Sequence, residues 1–461
     1  VTASAASISP EAVLAETTRS ALDSQRAELA QWLQRDDIRS QMQALGVDPR
    51  LAEERVAALS DAEVQDLHGR LDEARVAGSG VVGALVFIFV LLLGLMITGM
   101  PVSISLGLTV LTFLFAFTQV PIESVALKLF TGIEKFEIMA IPFFILAGNF
   151  LTHGGVAKRM INFATSMVGH WYGGLGLAGV LACALFAAVS GSSPATVVAI
   201  GSILLPAMVK AGFPNKFGAG VITTSGALGI LIPPSIVMVM YSVSTNTSVG
   251  ALFMAGVIPG LMLAGLLGFT TWWRARKFNY PRMAKATFAQ RMKALRESFW
   301  GLMLIVIVMG GIYTGMFTPT EAAAMSAVYA FIIAVFVYKD LSLKDIPRVL
   351  LNSANMSAML LYIITNAVLF SFVLANENIP QQLADWLVGM GLGPIAFLLV
   401  VNILLLVAGN FMEPSSIVLI FAPILFPVAV ALGIHPVHFG ILMVVNMEVG
   451  MCHPPVGLNL Y

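Results

Sequence analysis

The chain has 461 residues, 58% hydrophobic and only 11% charged, against about a quarter charged in soluble globular chains; a single water-soluble core is excluded. Its formal net charge of zero is a cancellation, because residues 1–79 hold 8 Arg, no Lys and 14 Asp+Glu (net −6) while residues 80–461 hold 17 basic and 11 acidic residues (net +6). The basic residues cluster only in one loop, which excludes nucleic-acid binding, and two cysteines in apolar segments, Cys183 and Cys452, exclude a disulfide framework or a Cys-rich metal centre.

Residues 1–79 read as an acidic helical extension, a fusion or an artefact of assembly. Ser9-Pro10-Glu11 is a helix start with proline at the first helical position, and Ser60-Asp61-Ala62-Glu63 has capping-box spacing. Asp48-Pro49 marks a break, and Gly78-Ser79-Gly80 a short linker. The run Gln41 to Val64 loosely resembles a bacterial family of small membrane-anchored proteins of unknown function. No charged segment followed by a short apolar stretch opens the chain, so we expect no cleavable signal. Val1 at one end and an apolar segment closing on Tyr461 at the other read as a fragment.

Residues 80–461 read as an all-α polytopic membrane domain, truncated at its C-terminus. Apolar runs near the ~20 residues that cross a bilayer occur at 81–98, 102–119, 136–152, 172–190, 217–245, 248–273, 299–316, 320–338, 354–375, 394–409 and 437–461. Two more, 192–211 and 411–432, are interrupted by Pro and bounded by Gly, Ser and Pro. We expect these to be re-entrant hairpins, which a membrane tolerates only where protein or a cavity satisfies the backbone. Arg274, Arg276, Lys277, Arg282, Lys285, Arg291, Lys293 and Arg296 place the 274–297 loop on the cytoplasmic side, as Lys339, Lys344 and Arg348 do for 339–348. Residues 376–393 carry Glu377 and Asp385 but no Lys or Arg, and are external.

The most informative feature is a duplication. Pro206, Gly212, Gly229 and Pro233 recur as Pro427, Gly433, Gly450 and Pro454, each pair 221 apart. Ser192-Ser193-Pro194 is echoed by Pro414-Ser415-Ser416, and Thr98-Gly99-Met100-Pro101 by Thr314-Gly315-Met316 and Pro319. Repeated halves with Pro/Gly breaks at matching places are the mark of a secondary transporter whose substrate and ions bind where the breaks meet. Ordinary kinks are the alternative, since Gly and Pro are common in transmembrane helices.

At these residues the chain is recognisable. Ser190-Gly191-Ser192-Ser193-Pro194-Ala195-Thr196, Gly226-Ala227-Leu228-Gly229-Ile230-Leu231-Ile232-Pro233-Pro234-Ser235, Ala140-Ile141-Pro142-Phe143-Phe144, Thr318-Pro319-Thr320-Glu321-Ala322 and Pro454-Pro455-Val456-Gly457-Leu458-Asn459 resemble the large membrane subunit of TRAP transporters, in its C4-dicarboxylate branch, over roughly residues 85–461. The resemblance implies a sodium-driven importer of small organic anions with an inverted repeat, in which a domain carrying two hairpins moves elevator-fashion against a static scaffold in the bacterial inner membrane. It implies a small four-helix membrane subunit and a periplasmic binding protein as partners, and no cofactor besides Na⁺ as coupling ion. Hairpins on opposite faces require an odd number of crossings between them, whereas the spans above give six.

Ser192, Ser193 and Thr196 at the first tip, and Pro414, Ser415 and Ser416 at the second, are the candidate substrate residues, with simple turn chemistry as the alternative. Expected Na⁺ ligands are Asn149, Ser192, Ser193, Gly226, Gly229, Pro233, Asn366, Ser415, Gly450 and Pro454. Asn149 and Asn366 are equally suited to bonding a neighbouring helix. Glu413 and Glu448 are acids deep in the last hydrophobic third, candidates for proton or cation handling. His435 and His438 lack a third ligand, and His453 beside the break is either a pH sensor or a structural residue. No Lys or Arg occupies the tips or breaks, so a bound dianion is expected to be offset by helix N-termini, hydroxyls and Na⁺. A binding-protein-independent sodium- or proton-coupled anion carrier is the nearest competing reading. A membrane-embedded enzyme is remote, because the histidines are dispersed and unpaired.

Overall fold

The structure is a computed structural model that describes residues 51, 55, 59–61, 63, 64, 83, 86–118, 121–389, 393–454 and 457–460. Two compact units emerge, Val1–Phe87 and Ile88–Tyr461; the sequence places the join near Val81. In the first, the Ser60 amide donates to Glu63 Oε2 at 2.9 Å, the expected capping interaction. Ser9-Pro10-Glu11, Asp48-Pro49 and Gly78–Gly80 lie outside the described residues.

Every element among the described residues is helical. In chain order these are α1 (Val86–Ile97), α2 (Val102–Phe117) and α3 (Ile122–Thr131), then α4 (Ala140–His153), entered through a 3₁₀ turn, and α5 (Val156–Val168). Next come α6 (Gly174–Ser190), α7 (Ser193–Lys210), α8 (Asn215–Gly226), a 3₁₀ turn (Ala227–Ile230) and α9 (Ile236–Thr245). Then follow α10 (Val249–Lys277), α11 (Phe288–Tyr313), α12 (Pro319–Ile332) and α13 (Ile346–Asn376). The chain closes with α14 (Ile379–Gly389), α15 (Pro394–Phe411), α16 (Pro414–Ala431) and α17 (Pro436–Gly450). Seven helices among the described residues are long and apolar enough to cross a membrane.

Local chemistry explains the boundaries. Thr318 and Glu321 form a reciprocal capping box at the start of α12, with Pro319 at its first position, and Thr287 and Gln290 do the same for α11. The 29 residues of α10 extend ~44 Å, beyond a ~30 Å hydrocarbon core, and its last turn carries Trp272, Trp273, Arg274, Arg276 and Lys277. Aromatic and basic residues there fit a membrane–water interface. Ile258, Leu261, Met262 and Phe269 on the same helix are exposed, an apolar face suited to lipid.

The hairpins differ from expectation. Residues 193–210 form one continuous helix, with Pro206 inside it, and 414–431 another, with Pro423 and Pro427 inside. Each is the second arm of a helical hairpin: α6 packs on α7 across the connection Gly191-Ser192, and α15 on α16 across Met412-Glu413. The interior prolines therefore do not mark the turns, because apolar helices accommodate proline where neighbours re-satisfy the freed carbonyls. The apolar runs 172–190 and 394–409 are first arms and not separate spans, which leaves five of the apolar runs between the hairpins: 217–245 (α8 with α9), 248–273, 299–316, 320–338 and 354–375.

The duplication is visible in the helix limits. The ends of α6 and α15, the starts and ends of α7 and α16, and the starts of α8 and α17 all differ by 221, the offset of the matched Pro and Gly residues. The helices before the hairpins interlock across the repeats, with α2 packed on α13 and α12 on α4.

Candidate functional site

The site is built on the first hairpin tip. Gly191 turns the chain with φ +62, a left-handed value that glycine adopts without steric cost. Ser192 is extended, and α7 begins at Ser193 without a side-chain cap; Pro194 has no N–H and the Thr196 amide donates to Ser192 O, so the Ser193 and Ala195 amides are the uncapped donors of this helix start, an arrangement that favours anions. The tip is tied together locally: Thr196 Oγ1 donates to the Ser192 carbonyl at 2.8 Å, and Ser190 Oγ lies 2.9 Å from Thr196 Oγ1. Ser193 and Thr196 are fully buried.

The break after α8 seats against this tip. A Cβ on Gly229 would lie 2.6 Å from Ser192 O and 2.7 Å from Ser193 Cα, so only glycine admits such close backbone approach. The Ile236 amide donates to Gly191 O at 3.3 Å, and Pro233 is buried. Ser193 Oγ donates to Gly226 O at 2.9 Å. Thus Ser192, Ser193, Thr196, Gly226 and Gly229, singled out from sequence, come together, whereas at the Pro-Pro step it is the carbonyl of Pro234 that approaches Gly191.

A residue not singled out joins them. Asn459 Nδ2 donates to Ser193 Oγ at 2.8 Å and to Thr223 O at 3.3 Å, while its Oδ1 lies 3.0 Å from Ser193 Oγ and its carbonyl accepts from Thr223 Oγ1 at 3.2 Å. Asn459 is buried. The segment after the second break therefore completes the first tip, where symmetric sites, each built within its own repeat, were expected. An Asn closing an otherwise apolar run was the available signal; its partner, 266 residues away, was not.

The second tip is assembled differently. Pro414 and Ser416 are buried, Ser415 is half-buried, and Ser416 Oγ donates weakly to Glu413 Oε1 at 3.4 Å. Met412 and Glu413 line a cavity of about 230 Å³ together with Pro101, Val102, Ser103, Met359 and Ile363. Like α7, α16 starts without a side-chain cap. Gly450 packs not on Ser415-Ser416 but on Gly409, where a Cβ on either would meet the other's Cα at under 3 Å, and its carbonyl accepts from the His453 amide. Pro454 is exposed in the turn that follows; Pro455 and Val456 lie outside the described residues.

Asn149 and Asn366 hold helices together. Asn149 Nδ2 donates to Ser353 Oγ on α13 at 2.8 Å, and Asn366 Nδ2 to Ser103 O on α2 at 3.1 Å. Asn149 is nonetheless next to Gly148, whose Cβ position lies 3.3 Å from Ser190 O, so α4 crosses the first tip at that level. His435 caps α17 through the Val437 amide, and His453 Nδ1 lies 2.8 Å from Val449 O. A second cavity, about 490 Å³, opens at the α9–α10 connection and is lined by Ser242, Asn246, Thr247, Ser248, Phe317 and Lys135. There Lys135 Nζ donates to Val243 O and Asn246 Oδ1, and burial pushes its ammonium below the usual lysine range.

Comparison with known proteins gives this geometry a lineage. Residues 89–461 match the family described as tripartite ATP-independent periplasmic transporter, DctM component, and residues 1–100 match a family of unknown function. The chain is 78% identical over 388 residues to the C4-dicarboxylate TRAP transporter large permease protein DctM of Rhodobacter capsulatus, covering 81% of this chain and 88% of that protein. It is 55% identical to the protein of the same description from Pseudomonas aeruginosa (77% and 84% covered). It is 38% identical to the sialic acid TRAP transporter large permease protein SiaM of Vibrio cholerae (80% and 86% covered). A solved structure, the YdaH transporter of Alcanivorax borkumensis, aligns at 14% identity and TM-score 0.48 over 70% of this chain and 78% of its own. With its transporter motifs, its helices of membrane-crossing length and a family match over most of its length, the chain belongs to the DctM component family of tripartite ATP-independent periplasmic transporters, as an integral protein of the inner membrane and not an enzyme.

Proposed function

We propose that this chain is the permease of a sodium-coupled importer of C4-dicarboxylates, working with a small membrane subunit and a periplasmic binding protein. The observation that carries the reading is the convergence at the first tip of hard oxygens, Ser193 Oγ, Gly226 O and Asn459 Oδ1, with the uncapped start of α7 beside them. Carbonyl and hydroxyl oxygens suit Na⁺, and free helix-start amides suit carboxylates. No Lys or Arg lies in either tip or break, so Na⁺, carried as co-substrate, supplies the charge that offsets a dianion. The named substrate of the relatives that are 78% and 55% identical supports the dicarboxylate assignment.

Five passages between two hairpins put the hairpin bases on opposite faces. Lys210 and Lys216 flank the first base, on the side of the basic 274–297 loop. Each tip then reaches towards the middle of the membrane from its own side, the arrangement that alternating access requires. The interlocked α2, α4, α12 and α13 supply a scaffold against which the hairpins and breaks move. Uptake of labelled succinate into proteoliposomes holding this chain and the small subunit tests the reading. Import is expected only with an inward Na⁺ gradient and the binding protein present, and full import in Na⁺-free buffer under a proton gradient would refute sodium coupling.

A further inference from the structure

Among the described residues, buried polar atoms of Thr109, His170, Arg291 and Glu448 have no hydrogen-bond partner, and Glu448 is the one carboxylate of the four. Glu448, in the last turns of α17, is 3% exposed, and neither of its carboxylate oxygens has a hydrogen-bond partner. Burying an ionised carboxylate alone costs far more than burying a neutral polar group. Among the described residues, the elements packed on it supply no opposite charge. α17 packs on α15 and α16, which carry no ionisable residue, with Glu413 just ahead of α16; on the 3₁₀ turn 227–230, which carries none; on α9 and on α10. The α9 contribution, Tyr241, donates to Pro436 O at the opposite end of α17, and the cations of α10 are confined to its last turn. Beyond the helix lie Cys452, whose thiol reaches Glu448 O and Thr223 O at 3.6 and 3.7 Å, and His453, which is exposed.

Protonation would remove the charge but leave a buried O–H that still needs an acceptor. A hard cation would satisfy both oxygens at once. We infer that Glu448 is a ligand of a second Na⁺ position, placed beside the first through Cys452, Thr223 and Asn459. This rests on the sodium-coupled reading and adds the carboxylate that bears one of the coupling charges. Na⁺ would bring charge neutralisation there, and α17 would hold it at the point where the helix gives way to the second break.

The test is a Na⁺ titration of succinate uptake in proteoliposomes containing the full chain, the small subunit and the binding protein. Glu448→Gln keeps the shape and removes the charge, and should raise the half-saturating Na⁺ at least tenfold and lower the steepness of the Na⁺ dependence. Glu448→Asp keeps the charge but withdraws it, and should shift the midpoint several-fold while retaining the steepness. Wild-type Na⁺ dependence in Glu448→Gln would overturn the assignment and leave a proton as the occupant; if that variant does not assemble, an unshifted midpoint in Glu448→Asp overturns it equally. Wild-type uptake that ignores Na⁺ would instead refute the coupling reading itself.

Discussion

Asn459 joins two distant parts of the chain: it lies past the second break, yet its side chain meets Ser193 and Thr223 beside the first tip. Replacing it with Ala removes an oxygen from the cluster and leaves Ser193 Oγ with Gly226 O alone. A lost ligand to a charged group is worth about 1.5–3 kcal/mol, so the half-saturating Na⁺ for uptake should rise roughly tenfold to a hundredfold. An unchanged Na⁺ titration in a normally expressed Asn459→Ala protein would reduce Asn459 to a packing role. Gly229 makes a different demand, since any Cβ there collides with the backbone of Ser192 and Ser193. Gly229→Val should abolish uptake while the protein still inserts, because the break can no longer seat on the tip; retained uptake would show that this contact is dispensable. Such residue-level roles were unevenly legible. Ser193, Gly226 and Gly229 stand in motifs that announce a turn and a close approach, whereas Asn459, although it ends the Pro454–Asn459 motif, acts through a contact across 266 positions that no local pattern encodes.

Helices were legible wherever apolar runs ended in strong signals, as at the Thr318-Pro319-Thr320-Glu321 capping box. The hairpin arms were misplaced for an identifiable reason. Pro206, Pro423 and Pro427 read as interruptions, but the chain passes through them as helix, and the true turns are the short connections Gly191-Ser192 and Met412-Glu413. In an apolar setting the penalty for an interior proline is softened by neighbouring groups, so proline alone does not locate a turn. The Pro233-Pro234 step is different, because no helix spans residues 231–235. Changing both to Ala should let α8 run towards α9 and satisfy internally the carbonyls that face the tip, weakening Na⁺ dependence by a similar tenfold to hundredfold. A kink-only role predicts lower expression with an unshifted Na⁺ midpoint, so the titration on well-folded protein separates the two.

For the whole molecule, the helix limits keep the 221-residue spacing of the matched Pro and Gly residues, and α2 packs on α13 and α12 on α4. The acidic segment 1–79 takes no part in the repeat. Deleting it should leave succinate uptake unchanged in the reconstituted complex, and loss of transport at normal expression would assign it a role. The duplicated hairpins should open to opposite sides of the membrane around one site. This arrangement is tested most directly by substituted-cysteine accessibility, with Cys183 and Cys452 replaced by Ala and single cysteines placed at the equivalent exposed positions Lys210 and Ala431. In right-side-out vesicles a membrane-impermeant thiol reagent should label the Ala431→Cys protein and leave the Lys210→Cys protein unmodified until the membrane is opened; labelling of both from the same side would place the two hairpin bases on one face and refute opposed hairpins.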